Sequence, residues 1–235
     1  MLTILLLAPS AGADDGVAMR NDAGAALHWK AFPVAYAVDP ANPIDLDPDA
    51  ALYEIVAAGS AWNQAQDVGV ELDFEGAVEA GPIGFDDEAN VVSFEGSWPF
   101  DPEMLALTAV WSTEDGTVLG FDMQINAEDH DWSVAGDPDA ADLRNAVAHE
   151  FGHALGISHL GEADATMYAT STAGETLKRD LDDVDVAALD EIYGEGGAFP
   201  IEDPEDALRV CAPAAGSPIA SALVLAIALL RRRSS

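Results

Sequence analysis

Residues 149–159 read His149-Glu150-Phe151-Gly152-His153-Ala154-Leu155-Gly156-Ile157-Ser158-His159, an HExxHxxGxxH string of three imidazoles and one carboxylate. On a helix, His149 and His153 lie one turn apart, so both rings leave the same face and can hold a single ion. Gly156 can end that helix, because a residue without Cβ takes the left-handed conformation that turns the chain back and brings His159 round as a third ligand. Three neutral imidazoles leave a tetrahedral Zn²⁺ one open position, which separates a catalytic site from a structural one. HExxH alone recurs by chance on ordinary helices, and the two further fixed residues Gly156 and His159 set this string apart. Three of the chain's 5 histidines are in it. The other two, His28 and His130, stand singly among aromatic or acidic neighbours and read as packed or solvated side chains.

Length and charge bound what this string is attached to. A chain of 235 residues with 49% apolar content fits one medium domain with appendages. The 43 Asp and Glu against 9 Lys and Arg give a formal charge of −34, and no Lys or Arg stands between Lys30 and Arg144. Such a surface repels polyanions, which excludes nucleic acid as a partner. Its positive readings are calcium binding or a high-salt habitat, and the plain alternative is a solvated acidic face.

Both ends read as export and sorting signals. Residues 1–13 hold a short apolar core followed by Ala11-Gly12-Ala13, the small-residue pattern of a signal-peptide cleavage site, although no basic residue precedes Leu2. A buried N-terminal strand is the alternative. Residues 14–27 then form an N-terminal segment, residues 28–195 a catalytic domain, and the Gly-, Pro- and Glu-rich residues 196–211 a linker. From Ala212 to Leu230 the chain is uncharged for 19 residues, about the minimum for a membrane crossing, and Arg231-Arg232-Arg233 follows. The arginine cluster orients the domain outside the cytoplasm. The lone Cys211 just before this segment has no internal disulfide partner. The order cysteine, small residues, apolar stretch, arginine cluster resembles C-terminal sorting signals of the myxobacterial type, which implies a bacterial cell-surface protein whose tail is removed. A plain membrane anchor over residues 212–235 is the alternative.

Between the ends the chain reads as one α/β (α+β) unit. Val34 to Val38 alternates as a strand, and the Asp39-Pro40 and Asn42-Pro43 pairs break it. Asp49 to Gln66 is predicted as a helix on the spacing of Leu52, Ile55, Val56 and Trp62, with Asp47 or Asp49 as cap. Short strands are predicted over Val70–Phe74, Val91–Phe94, Leu107–Trp111 and Leu119–Ile125. The helix of the histidine string begins near Ala141, and a last helix fits Asp182–Tyr193.

The catalytic string, with Ala165-Thr166-Met167-Tyr168 beyond it, resembles the metzincin zinc metalloproteases, and the Met-Tyr pair most resembles their matrixin branch. Residues 107–132, Leu181-Asp182-Asp183-Val184 and Ile192-Tyr193-Gly194 are similar to matrixin segments as well. The resemblance implies a metzincin catalytic domain: a twisted five-stranded, mostly parallel sheet with an antiparallel edge strand, packed helices, a zinc cleft, and Met167 in a tight turn beneath the ion. It implies substrate lying along the edge strand near Leu107, and a pocket lined by Tyr168 and Ala169. It also has gaps. Gln124 stands where a structural-zinc histidine is expected, so one catalytic zinc alone is predicted, and Asp122 or Glu128 is offered as a calcium ligand. No cysteine precedes the domain to cap the zinc, and Leu160 follows His159 where matrixins usually carry Ser.

The chemistry so implied is zinc-dependent hydrolysis of a peptide bond in a protein or peptide substrate by a monomer. Glu150 acts as general base on the water and as proton donor to the departing amine. The competing reading is a surface binding or adhesion protein that keeps zinc without turnover, in which Glu150 is only a carboxylate on a solvated helix face.

Overall fold

The computed structural model describes residues 3–6, 17–65, 67–79 and 89–200. Most of the predicted export signal, the linker beyond residue 200, Cys211 and the apolar tail lie outside the described residues. Among those described, no helix is long and apolar enough to cross a membrane.

The strands form where side chains alternate. Strand β1 is Thr3–Leu6 and β2 is Val34–Val38, which buries Val34, Tyr36 and Val38 and leaves Ala35 and Ala37 half-covered, the period of two of a pleated strand. Helix α1, Pro48–Gln64, starts where Asp47 accepts a hydrogen bond from the Ala50 N–H at 2.9 Å and Pro48 occupies the first turn, which has no helical N–H partner to lose. Its buried stripe is Ala51, Ile55, Ala58, Gly59 and Trp62, so of the predicted apolar positions Ile55 and Trp62 lie in the core while Leu52 and Val56 flank it. Strands β3 (Leu72–Ala77), β4 (Val91–Glu95), β5 (Ala106–Ser112) and β6 (Val118–Asn126) complete the main sheet.

The sheet order is β1-β5-β6-β4-β2-β3. Strand β2 runs parallel to β3 and β4, and β4 parallel to β6, whereas β5 is antiparallel to β6. These are the five expected strands, mostly parallel with an antiparallel edge. Thr3–Leu6 adds a sixth, antiparallel to β5 from Ser112 to Ala109, which is the N-terminal strand the sequence offered as the alternative to an export signal.

Two further strands, β7 (Trp132–Ser133) and β8 (Ala141–Asp142), pair in parallel. They explain why helix α2, Leu143–Ala154, begins two residues later than its sequence suggests: Ala141 and Asp142 are held extended, and Asp142 caps the helix by accepting from the Asn145 N–H at 3.1 Å. Helix α3, Asp183–Tyr193, starts at the predicted Asp182, in a reciprocal capping box with Asp185.

Helices α1 and α2 pack against each other and α2 lies on β5. Trp62, Phe121 and Phe151 are fully buried in one cluster, with the Phe151 ring 5.0 Å from Tyr36 and 6.3 Å from Phe121. Trp62 donates its indole N–H to the Ala148 carbonyl at 2.8 Å, so the polar edge of this large core residue is satisfied and α1 is keyed to the histidine helix.

Candidate metal centre

Helix α2 carries His149 and His153 on one face, and its end brings in His159. Gly156 takes φ +89°, donating to the His153 carbonyl at 2.9 Å, and a Cβ there would lie 2.7 Å from the Leu27 carbonyl oxygen. The turn is therefore reserved for glycine on two counts, conformation and space. The returning loop is braced from outside: Met19 N–H donates to Gly156 O and Ser158 N–H to Val17 O, each at 2.8 Å.

The three rings converge. Ring centroids are 4.7, 5.1 and 4.8 Å apart, and one ligand atom from each lies within 4.8 Å of the others. His153 Nε2 and His159 Nε2 are 3.2 Å apart. Two nitrogens bound to one tetrahedral zinc at ordinary bond lengths stand about 3.3 Å apart. The outer nitrogens fix the tautomers: His149 Nδ1 faces the Thr166 carbonyl at 2.7 Å and His153 Nδ1 the Ile157 carbonyl at 2.9 Å, so each Nδ1 donates and each Nε2 keeps its lone pair inward. Burial, and then the neighbouring imidazoles, pushes His153 well below its usual value, and burial takes His149 down to about 3. Burial lowers His159 too. Donors that stay neutral and point at one locus fit a zinc ion.

Glu150 sits on the same helix, 8% exposed, and Thr108 of β5 donates its hydroxyl to Oε2 at 2.7 Å. Burial pushes this carboxyl up to about 7, against the opposing hydrogen bonds from Thr108. A carboxyl near neutrality, fixed in direction beside a metal locus, can both accept and return a proton.

Below the histidines, Met167 is fully buried, and Gly152 admits it: a Cβ at Gly152 would stand 2.1 Å from the Met167 sulfur. Asp185 of α3 holds the turn. Its carboxylate accepts from Thr166 N–H at 2.8 Å, Met167 N–H at 3.0 Å and Asp182 N–H at 3.0 Å. Thr166 thereby has its N–H on Asp185 and its carbonyl on His149, one peptide away from the methionine.

A cleft of about 340 Å³ opens beside these groups, lined by His149, Glu150, His153 and His159 together with Leu105, Ala106, Tyr168 and Ala169 among others. Tyr168 and Ala169, expected to line a pocket, are thus on the cleft wall. Leu107 is not: alternation along β5 points Thr108 at Glu150 and sends Leu107, 2% exposed, to the opposite face against Trp98 and Met104. The offered calcium ligands are not gathered into a site among the described residues. Asp122 accepts from the Val91 N–H at 3.0 Å and Glu128 from the Trp98 N–H at 2.5 Å, each tying down a loop or strand. Gln124 donates to Glu95 at 3.4 Å. His28 stacks on Phe199 with centroids 3.6 Å apart, and His130 packs against Trp132. Sequence reasoning missed Thr108, Asp185 and the cleft residues Asn145 and Lys178. Asp185 alone had a signal, as the third residue after a capping aspartate.

Comparison with known proteins agrees with this geometry. The family model described as matrixin, peptidase M10, matches residues 28–194. Metalloendoproteinase 2-MMP of Arabidopsis thaliana is 28% identical over 173 residues, 71% of this chain and 42% of that protein. Matrix metalloproteinase-20 of Homo sapiens is 31% identical over 144 residues, 57% of this chain and 29% of that protein. Karilysin of Tannerella forsythia is 41% identical over 66 residues, 28% of this chain and 13% of that protein. The chain spans less than half the length of each of these relatives. The family match runs from His28 across the sheet and the three histidines to the end of α3, and the chain belongs to the matrixin family.

Proposed function

We propose that this protein is a zinc-dependent endopeptidase. The observation that carries the reading is the convergence of three inward-facing imidazole nitrogens with a buried carboxyl in one cleft. His149, His153 and His159 would hold the ion. Zinc, when bound, supplies Lewis acidity to the scissile carbonyl and to water. Glu150 takes the proton of the attacking water and passes it to the departing amine, and Thr108 fixes the carboxyl by holding its Oε2 against β5. The substrate backbone adds as a strand to β5 near Ala106–Thr108, where the sheet edge borders the cleft. Zinc is the cofactor this reading needs, held by His149, His153 and His159.

A non-catalytic zinc-holding adhesion protein is disfavoured by Glu150. It is buried and oriented by Thr108, not solvated on an open helix face. The protein works outside the cytoplasm, secreted or held at a bacterial surface, on the strength of the apolar, arginine-capped residues 212–235. Purified protein is expected to cleave an unstructured substrate such as casein, and Glu150→Ala to abolish cleavage while one zinc per chain stays bound. Stoichiometric zinc with no cleavage of a broad peptide library would sink the assignment.

A further inference from the structure

Lys178 is 2% exposed, on a short 3₁₀ turn, Leu177–Arg179, whose backbone is pinned to α2 by the Lys178 N–H donating to Asn145 Oδ1 at 2.8 Å. A buried lysine needs its donors matched. Its ammonium donates to the Thr170 carbonyl, pairs with Glu175 Oε1 at 3.2 Å, and lies 5.4 Å from the centroid of the Tyr168 ring. An ammonium has three N–H donors, and the described residues supply acceptors for two. Lys178 lines the same cleft as His149, Tyr168 and Ala169, so its ammonium, with one donor beyond these two oxygens, belongs to the cleft wall.

The surrounding wall is polar and internally satisfied. Asn145 donates to the Ser171 hydroxyl at 3.0 Å, and Ser171 donates to Glu175 Oε2 at 3.1 Å, which also accepts from the Thr172 N–H at 3.0 Å. Glu175 already balances the lysine's charge. An entering carboxylate would leave the pocket with a net negative charge inside a chain of formal charge −34, whereas a side-chain amide brings an acceptor oxygen without charge. A purely aliphatic side chain would displace water from the ammonium and return no acceptor.

We propose that Lys178 is a specificity-determining residue: the pocket beside the metal centre selects, on the departing side of the scissile bond, a substrate side chain ending in a neutral amide, of glutamine type. The assignment of that side of the bond rests on the endopeptidase reading, and the selectivity of the pocket is tested apart from turnover. Four peptides differing only in that residue, Gln, Glu, Leu or Lys, are titrated against full-length zinc-loaded protein carrying Glu150→Gln, and cleavage of the same peptides by wild type is followed separately. Gln is expected to bind about tenfold more tightly than Leu, with Glu between them and Lys weakest. Lys178→Met on the same background should erase the Gln preference and favour Leu. Glu175→Gln, which keeps the lysine and removes its counter-charge, should move Glu to or above Gln and decides the matter if Lys178→Met does not unfold cooperatively. Leu binding as tightly as Gln in the parent, or a Glu175→Gln protein with an unchanged order, overturns the proposal. Binding in the expected order without cleavage of any peptide or of casein by wild type removes the endopeptidase reading and leaves the pocket's selectivity standing.

Discussion

Gly152→Ala tests how the metal helix is seated. On helix propensity alone, replacing an interior glycine by alanine stabilises by about 1 kcal/mol. Here the new methyl would lie 2.1 Å from the Met167 sulfur, 3.0 Å from its terminal carbon and 2.8 Å from Trp62 Cζ2. Favourable contact begins at about 3.5 Å, so the sulfur must retreat by roughly 1.4 Å or more. Trp62 has little freedom to yield, since its indole is bonded to Ala148 O on the same helix. Overpacking of this kind costs about 1–3 kcal/mol and exceeds the propensity gain. Met167→Ala alone should cost about 2–5 kcal/mol through the cavity it leaves. In the double variant the methyl added by Gly152→Ala occupies that space, and the loss should fall short of the sum by about 1–3 kcal/mol. Urea unfolding of the four zinc-free proteins measures the cycle. Additivity within about 0.5 kcal/mol, or net stabilisation by Gly152→Ala, would refute the packing described between α2 and the methionine turn.

Zinc uptake should release few protons. At about pH 6 three ordinary imidazoles would lose about 2.3 protons on binding, but burial holds His149 and His153 well below their usual values and lowers His159 as well, so fewer protons remain to be lost. Glu150, pushed up to about 7, is protonated at that pH and gives up its proton when the dication arrives. Calorimetry in two buffers of different ionisation enthalpy should count fewer than about two protons per zinc, and about one fewer for Glu150→Gln; a count above about two in wild type contradicts the site. Asp142 caps α2 and receives a bidentate contact from Arg179, with Nε 2.8 Å and Nη2 2.5 Å from its oxygens. Arg179→Ala should therefore destabilise by about 2 kcal/mol, discounted because the guanidinium is 23% exposed, and Asp142→Ala by about 1 kcal/mol more through loss of the cap; equal losses in urea unfolding would show that the cap contributes nothing. Asp185→Asn sets an amide N–H₂ against backbone N–H groups, and zinc affinity should fall by about tenfold in a competition assay with a fluorescent chelator, while unchanged affinity would separate the turn from the metal.

The metal centre was legible because its determinants are local. Helical spacing puts His149 over His153, and the absence of a side chain at Gly156 permits the return to His159. The core strands were legible as short apolar segments between turn residues, their parallel order from the family resemblance, and the cap at Asp47 from its chemistry. What stayed hidden depends on distant partners. Alternation along β5 states that Leu107 and Thr108 face opposite ways, but only the packing of α2 on the sheet decides which of them meets Glu150, 42 residues away. Lys178 stands in a polar run that reads as an exposed loop, and its burial follows from Asn145, 33 residues earlier. Strands β7 and β8 are two residues each, too short for any periodicity.

The hold of Asp185 on the methionine turn makes helix α3 a thermodynamic partner of the metal. The carboxylate sits in the first turn of α3, and through Thr166 the same segment reaches the outer nitrogen of His149. Linkage is reciprocal: the ion stabilises the docked helix by the free energy with which that docking favours the ion. Hydrogen exchange in Asp183–Tyr193, a segment that contributes no ligand, should then slow on addition of zinc. Whatever loosens that first turn of α3 from outside would act as a valve on metal occupancy without touching a histidine.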